Sequence, residues 1–319
     1  LERLVVVVRL PVRRELDLGT EFGVIAGRDP EVHVFEGKVE FQAQRRYLLQ
    51  KAVGLRLDEN RVQGIPAQRD KFVGERQLAA MQASAAIDVH PAALVHYDFE
   101  TDGNSVANRV PATHCPAEIV GAAHSGGRWP RNRALEFTEA GQRAEFEMPA
   151  PLKSLTFLAW VQVDYLPERQ GGLLMGSSDV PGDVHWYLYQ DGSVGFAIVG
   201  NDGQWHPMHS RPVFDGGNHG EWKFLAVTYD GETGAVSHYV DGKADASWQV
   251  PVGVPITPGE TAIGNWALRP GAAVSASRSF IYGASDYDRL FPGRIDEIAI
   301  FSAVLTPTEI EALHEGGRP

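Results

Sequence analysis

Carboxylates on alternate residues are the first feature of this sequence that could do chemistry. Asp98, Glu100 and Asp102 are separated by single residues, and Gly103 follows them. Alternate side chains of a β-strand face the same side, so this spacing would gather three carboxylates. Calcium prefers oxygen ligands of this type. A calcium-binding helical loop would need a carboxylate at its twelfth position, where this chain has Arg109, so the sequence excludes that motif.

Other metal and nucleophile candidates are isolated. His206 and His209 lie three residues apart around Pro207, with no third ligand nearby, and we interpret them as exposed loop histidines. Cys115 is the single cysteine, which excludes an internal disulfide and every zinc site with two thiolates. We expect it to be an ordinary half-buried thiol. The sequence has no nucleophile elbow, zinc-protease motif, phosphate loop or dinucleotide glycine set, so we assign no catalytic residue.

Aromatic residues form the most promising binding candidates. Aromatic rings stack on the apolar faces of sugars, and a few polar groups fix the orientation of a ligand. Strand alternation sends Trp186 and Leu188 to one side and Tyr187 and Tyr189 to the other, so one pair belongs to the core and the other is free to line a face. The remaining possibility is that all these rings pack in the core or at its rim. The candidate ligand-binding residues are Tyr187, Tyr189, Trp205, Trp266 and Tyr287, with Asp202, Gln204 and Asn265 as polar partners.

Short strands must position these residues. Glycine occurs 34 times and proline 20 times, scattered among short apolar segments, which indicates many strands and turns. We predict strands that include 94–100, 156–163, 186–189, 194–198, 223–229, 237–240 and 295–301. In the first part, Val32–Val34 and Val39–Phe41 predict a hairpin that turns at Gly37. Residues 74–87 are rich in helix formers and predict a short helix or linker. Thr306, Pro307 and Glu309 form a capping box for a short terminal helix that Gly316 and Gly317 should end.

Composition limits the class of protein. The chain has 319 residues, 43% of them hydrophobic and 22% charged, as in an ordinary globular protein. Its net charge of −12 argues against nucleic-acid binding, which needs a basic face. The first 90 residues are nearly neutral, and the rest carries the negative charge, which indicates two domains. The longest aliphatic run, Leu4–Val8, is too short to span a bilayer.

The segment from residue 93 to about 317 resembles the laminin-G-like, concanavalin-A-like jelly roll common in bacterial secreted proteins. The matching pieces occur in the family's order, and the ordered set is more specific than any single piece. They are Leu94–Glu100, Arg133–Phe137, Leu155–Val161, Glu221–Asp230, Tyr239–Lys243 and Gly293–Phe301, followed by Leu305–Ile310. The resemblance implies an all-β sandwich with a short C-terminal helix. We therefore divide the chain into a β domain at 1–73, a helical linker at 74–92 and a jelly roll at 93–319.

Residues 17–24 and 32–40 resemble part of FecR-like periplasmic domains. In that family these strands lie in the middle of a longer β domain, usually after a membrane helix. Sixteen residues precede them here, so the resemblance implies a partial domain that is membrane-anchored in the intact protein. It also implies a periplasmic or extracellular location and a role in signalling.

The jelly-roll resemblance makes the carboxylate hypotheses more specific. Opening and closing strands are often neighbours in this family, so Glu100 and Asp296 could hold one structural calcium ion together with backbone carbonyls. Some members of the fold are glycoside hydrolases with carboxylates on alternate residues of one strand. Only Glu145 and Glu147 offer that spacing here, and we interpret them as an exposed strand face.

We therefore expect a non-enzymatic extracytoplasmic recognition protein whose jelly roll binds carbohydrate or protein. Two alternatives stay open. A glycan-processing enzyme would need a carboxylate pair about 5–9 Å apart in an aromatic cleft. A structural adhesion module would show calcium-dependent stability without any small ligand.

Overall fold

A computed structural model describes most of the chain as two compact units, Leu1–Gly74 and Glu75–Pro319. About half of the residues in the described part lie in strands and about a tenth in helices. The described residues are 7–9, 20–26, 29–42, 45–58, 61–250, 253–266 and 289–319.

The first unit contains two antiparallel sheets. One has the order β1-β4-β5 and the other β2-β3-β6-β7. A short 3-10 turn at Arg69–Lys71 follows the last strand. The strands are β1 (Val7–Arg9), β2 (Glu21–Ile25), β3 (Glu31–Glu36), β4 (Lys38–Gln42), β5 (Arg46–Gln50), β6 (Val53–Asp58) and β7 (Arg61–Pro66).

The predicted hairpin in this unit is wrong. β3 pairs with β2 and β6, whereas β4 pairs with β1 and β5, so the chain leaves one sheet and enters the other at Gly37. Gly37 has a φ of 74°, a left-handed conformation that favours glycine, and a Cβ there would press on Thr20. Val34 and Phe41 from the two strands are both fully buried in one cluster. Alternation correctly predicted the inward side chains, but it carries no information about pairing partners.

The second unit is a sandwich of two large antiparallel sheets. Sheet I has the order β18-β17-β16-β15-β22-β13-β10-β9. Sheet II has the order β11-β12-β23-β14-β19-β20-β21, and β8 also pairs with β23. The strands are β8 (Ala93–Tyr97), β9 (Ser105–Val106), β10 (Ala117–Val120), β11 (Ala123–Gly126), β12 (Arg133–Phe137), β13 (Arg143–Glu147), β14 (Ser154–Val163), β15 (Gln170–Gly176), β16 (Val184–Tyr189), β17 (Ser193–Val199), β18 (Trp205–Pro212), β19 (Trp222–Asp230), β20 (Ala235–Val240), β21 (Lys243–Gln249), β22 (Glu260–Ile263) and β23 (Gly293–Phe301).

Among the residues that the structure describes, two helices cover the outer face of sheet II. They are α1 (Glu75–Asp88) and α2 (Pro307–Gly317). β14 is apolar on both sides because Phe157 faces the core between the sheets while Leu158 and Trp160 pack in the cluster that includes residues of both helices. The all-β sandwich with a short C-terminal helix is therefore confirmed.

The terminal helix begins and ends at the predicted residues. Thr306 accepts from the Glu309 N–H, the Glu309 carboxylate accepts from the Thr306 N–H, and Pro307 starts the helix. Gly316 and Gly317 are its last two residues, but neither has the left-handed φ of a glycine helix stop. A Cβ on Gly317 would come 2.9 Å from Trp160 Nε1, so this glycine allows the helix to approach the sheet closely. Close packing, and not a helix stop, accounts for that glycine.

Candidate functional site

The outer face of sheet I carries a cluster of aromatic and histidine side chains. We call His185, Tyr187, Tyr189, Trp205, His209 and Trp266 the aromatic face. Cross-strand register brings them together, because Tyr187 lies opposite Gly195, which lies opposite His209, on β16, β17 and β18. Met175 and Ala197 form the apolar floor beside Tyr187.

Alternation in β16 resolves the question that the sequence left open. Trp186 and Leu188 are fully buried in the core between the sheets. Tyr187 and Tyr189 point the other way, onto the aromatic face. Because sheet II has both helices on its outer side, the aromatic face is the outer sheet surface without a helix in the described part of the chain.

Tyr187 is the floor of the face and not an exposed ring. It is 2% exposed, and its ring lies so close over Gly195 that a Cβ there would clash with it. Burial, together with the neighbouring Tyr189, raises the pKa of the Tyr187 hydroxyl above its usual range, so this group stays neutral. The rings that could stack on a ligand are therefore the part-exposed ones of Tyr189, Trp205 and Trp266.

A second ring cluster lies on the same face. The ring centroids of His185 and Trp205 are 4.1 Å apart with planes inclined by 30°, and Trp266 lies 5.5 Å from His185. The buried Asn265 side chain accepts from the backbone N–H groups of Trp266 and Arg289, at 2.6 and 2.7 Å, so it holds Trp266 in place.

The other predicted ligand residues have different positions. Asp202 accepts from the Gln204 N–H at 3.0 Å and contacts His206 at 3.1 Å, so it shapes the turn before β18. Tyr287, the last predicted ligand residue, lies outside the described residues.

A hydrogen-bonded chain of four side chains crosses the aromatic face, and sequence reasoning missed it. Asp191 Oδ1 accepts from Ser193 Oγ at 2.6 Å. Ser193 Oγ lies 3.1 Å from His209 Nδ1, and Tyr187 Oη lies 3.3 Å from His209 Nε2. The spacing of His206 and His209 predicts exposed loop histidines, but both lie on β18 and are part-buried. The signal in the sequence was the position of His209, two strands after the strand of the alternating tyrosines.

The two predicted calcium ligands both lie near Asn132 and Gly127. The Asn132 side-chain amide donates to Glu100, and a Cβ on Gly127 would clash with both Asn132 Oδ1 and Asp296 Oδ2. Asn132 Oδ1 and Asp296 Oδ2 therefore border one small space at Gly127, and Glu100 lies on the nitrogen side of the Asn132 amide. Oxygens of these kinds are ligands that fit calcium. No group of three or more His, Cys, Asp or Glu side chains suited to a metal occurs among the described residues.

Arg128 already supplies a positive charge at this place. Its side chain is 4% exposed and pairs with both Asp296 and Glu297, the latter at 2.6 Å. Burial raises the pKa of Asp296 to about 7, although Arg128 acts in the opposite direction. A cation bound by Asp296 would therefore share its carboxylate with the guanidinium group.

A buried ionic network extends from Arg128 to α1. The two ring nitrogens of His96 donate to Asp88 at 2.5 Å and Glu297 at 2.7 Å, so the imidazole is protonated. Burial alone would lower the pKa of His96, but these two carboxylates raise it to about 9. Burial would raise the pKa of Glu297, but the charges of Arg128 and of the His96 imidazolium hold it well below its usual range. The network fastens the end of α1 to β8 and β23.

The glycosidase candidates have structural partners. Glu145 pairs with Arg143 on the same strand. Glu147 lies exposed, opposite Glu260 of the neighbouring strand. Neither carboxylate belongs to the aromatic face.

Comparison with known proteins agrees with this architecture. Residues 140–311 match the family described as the concanavalin A-like lectin/glucanases superfamily, of laminin G type. The chain belongs to this superfamily. No curated protein matches the chain. No helix in the described part of this superfamily member is long and apolar enough to cross a membrane.

Solved structures share the fold at low sequence identity. The binding domain of botulinum neurotoxin serotype D has a TM-score of 0.53 and 10% identity, with 73% of this chain and 52% of that chain covered. The binding domain of botulinum neurotoxin DC in complex with SialylT has a TM-score of 0.51 and 11% identity, covering 71% and 51%. Domain 4 of a GH43 extracellular arabinanase from Geobacillus stearothermophilus, in complex with arabinotriose, has a TM-score of 0.48 and 21% identity, covering 70% and 99%. The chain spans about half the length of the toxin domains, and these identities show the fold alone.

Proposed function

We propose that the jelly roll is a recognition module that binds carbohydrate on the aromatic face. The observation that carries this proposal is the set of part-exposed rings, Tyr189, Trp205 and Trp266, held above a buried apolar floor. Flat rings beside fixed hydrogen-bonding groups suit the apolar face and the hydroxyl groups of a sugar. The superfamily groups lectins with glucanases, which makes a glycan the ligand class to test first.

The test is binding of a glycan array, followed by calorimetry with β-glucan hexasaccharides as soluble probes. Removing a ring that becomes half-buried in the complex costs about 1.5 kcal/mol, so Tyr189→Ala and Trp205→Ala should each weaken binding about tenfold. Tyr165→Ala is the matched control, since Tyr165 is an exposed tyrosine outside the aromatic face. Equal loss in all three variants, or no glycan bound by the unchanged protein, would overturn the proposal.

We infer that this module binds without catalysis. Support comes from the carboxylates near sheet I: Glu145 is paired with Arg143, and the buried Asp183 accepts from the backbone N–H groups of Asp179 and Val184. Tyr187 is kept neutral. Ser193 is buried, and its hydrogen bond lowers the pKa of Asp191, which makes that carboxylate a weak base, so neither side chain is an activated nucleophile. New reducing ends released from a bound hexasaccharide would contradict this inference.

A structural calcium ion is proposed at Glu100, Asn132 and Asp296. Asn132 and Asp296 border the space beside Gly127, and Glu100 binds the Asn132 amide nitrogen; together they would supply three of the six to eight oxygens that calcium needs. Calcium should raise the melting temperature, and the rise should vanish in Glu100→Gln but persist in Glu118→Gln, an exposed glutamate on β10. An equal melting temperature in calcium and in chelator would contradict the site.

We also propose that residues 1–73 are a FecR-like domain of an extracytoplasmic signalling protein. The support is the resemblance of residues 17–24 and 32–40. Localisation of a tagged full-length protein by cell fractionation tests this proposal, and a cytoplasmic fraction would contradict it.

A further inference from the structure

The hydrogen bonds around His209 define its tautomer. Ser193 Oγ has one proton and gives it to Asp191, because a carboxylate only accepts. The contact between Ser193 Oγ and His209 Nδ1 must therefore use a proton on the imidazole. In the neutral ring Nε2 then carries a lone pair, which accepts the Tyr187 hydroxyl proton. Asp191 and Ser193 thus determine, through His209, where the Tyr187 proton points.

Protonation of His209 would reverse the last of these hydrogen bonds. Nε2 would become a donor, so the Tyr187 hydroxyl proton would have to turn away from it. Tyr187 is buried beneath the face, and His209 packs edge-on against the rings of Tyr187 and Tyr189, with centroids 5.7 and 5.0 Å away. A turned hydroxyl and a new positive charge would therefore act directly on Tyr189, a part-exposed ring of the aromatic face.

The surroundings of His209 disfavour its charged form. Burial lowers the pKa of His209, and Asp191 opposes this shift. From β20, His238 is itself kept neutral by burial, which lowers its pKa to about 4. From β21, Asp245 is bound to Arg211, and Trp248 donates to the His209 carbonyl oxygen at 2.8 Å. From β16, the rings of Tyr187 and Tyr189 also contact His209.

We propose that His209 is a positioning residue of the aromatic face, and that the face binds its glycan only while His209 is neutral. This inference rests on the proposed carbohydrate function. It adds that Asp191 and Ser193, which need not touch the ligand, control binding through the tautomer of His209. Because the neutral fraction falls tenfold per pH unit below the midpoint of His209, affinity should fall about tenfold per unit there.

The first experiment needs no ligand. Nuclear magnetic resonance of the histidine rings in the full chain, titrated from pH 8 to 4.5, should show His209 with its proton on Nδ1 and a midpoint below 6.5. The His209→Gln variant assigns the signal. A proton on Nε2 in the neutral form, or a midpoint above 6.5, would overturn the inference.

The second experiment measures β-glucan hexasaccharide binding between pH 7.5 and 5. The unchanged protein should lose affinity as His209 becomes protonated. Tyr187→Phe keeps the ring but removes the hydroxyl, so its affinity should depend less on pH. The melting temperature of this variant at pH 5 should equal that of the unchanged protein. His206→Gln, on the same strand, is the matched control and should keep the profile. Equal binding at both pH values would overturn the positioning role and leave the carbohydrate function standing. No binding at either pH would overturn the carbohydrate function and the positioning role with it.

Discussion

At the scale of single residues, buried charged side chains contribute more to the stability of this structure than exposed ones do. Arg128 donates to Asp296 and Glu297, its Nε donates to the Gly317 carbonyl oxygen at 3.1 Å, and its guanidinium lies 4.9 Å from the Trp160 ring centroid. Burying a guanidinium group costs free energy, but leaving its two carboxylate partners buried without it would cost more. Arg128 therefore stabilises two buried carboxylates and the end of α2 together.

Arg128→Ala should destabilise the second unit by about 3–5 kcal/mol, because it leaves Asp296 and Glu297 buried without their partner. Urea unfolding measures the loss. Arg211→Ala is the matched control: Arg211 is 75% exposed and paired with Asp245, so its loss should cost less than about 1 kcal/mol. Similar losses in both variants would show that burial does not set the strength of these pairs.

At the scale of elements, close contacts between helix and sheet outweigh local propensity. Gly317 lies in the last turn of α2, where its lack of a side chain lets the helix reach Trp160. Glycine inside a helix usually costs about 0.5–1 kcal/mol relative to alanine. Here the packing gain reverses the usual preference.

Gly317→Ala should destabilise the protein by about 1–3 kcal/mol, because the new methyl group overpacks the contact with Trp160. Thermal or urea unfolding measures the change. Glu311→Ala, at an exposed position of the same helix, should stay within about 0.5 kcal/mol of the unchanged protein. A stabilised Gly317→Ala variant would mean that α2 moves away from the sheet without cost.

At the scale of the whole molecule, each compact unit has its own core. The cluster of Val34, Val39 and Phe41 lies within the first unit. In the second unit, α1 contributes Ile87 to the cluster around Trp160 and Asp88 to the ionic network of His96. The helix that joins the units in sequence therefore belongs to the sandwich by its contacts.

A fragment of residues 75–319 should therefore unfold cooperatively, with the midpoint that the sandwich shows in the full chain. A fragment of residues 93–319 should be less stable by at least about 2–4 kcal/mol, since it loses Ile87 from the core and leaves His96 and Glu297 without α1. Urea unfolding of both fragments checks this prediction. Equal stability would mean that α1 contributes nothing to the sandwich.

The sequence by itself determined the local elements and the inward faces. Alternation placed the strands, for example 156–163 within β14, because side-chain direction in a strand has a period of two. The capping box at Thr306 was readable because all its hydrogen bonds are made within one turn. The aromatic face was anticipated through Tyr187 and Tyr189, since alternation separates them from Trp186.

Only the tertiary structure decided which distant groups meet. Gly37 turns β3 and β4 into different sheets, because pairing depends on strands far away in sequence. The contact of Arg128 with Asp296 spans 168 positions, and that of His209 with Ser193 spans 16 across two strands. A sequence shows which side chains can accept or donate. The sandwich decides which of them are removed from water and brought into contact, and therefore which of them can act on a ligand.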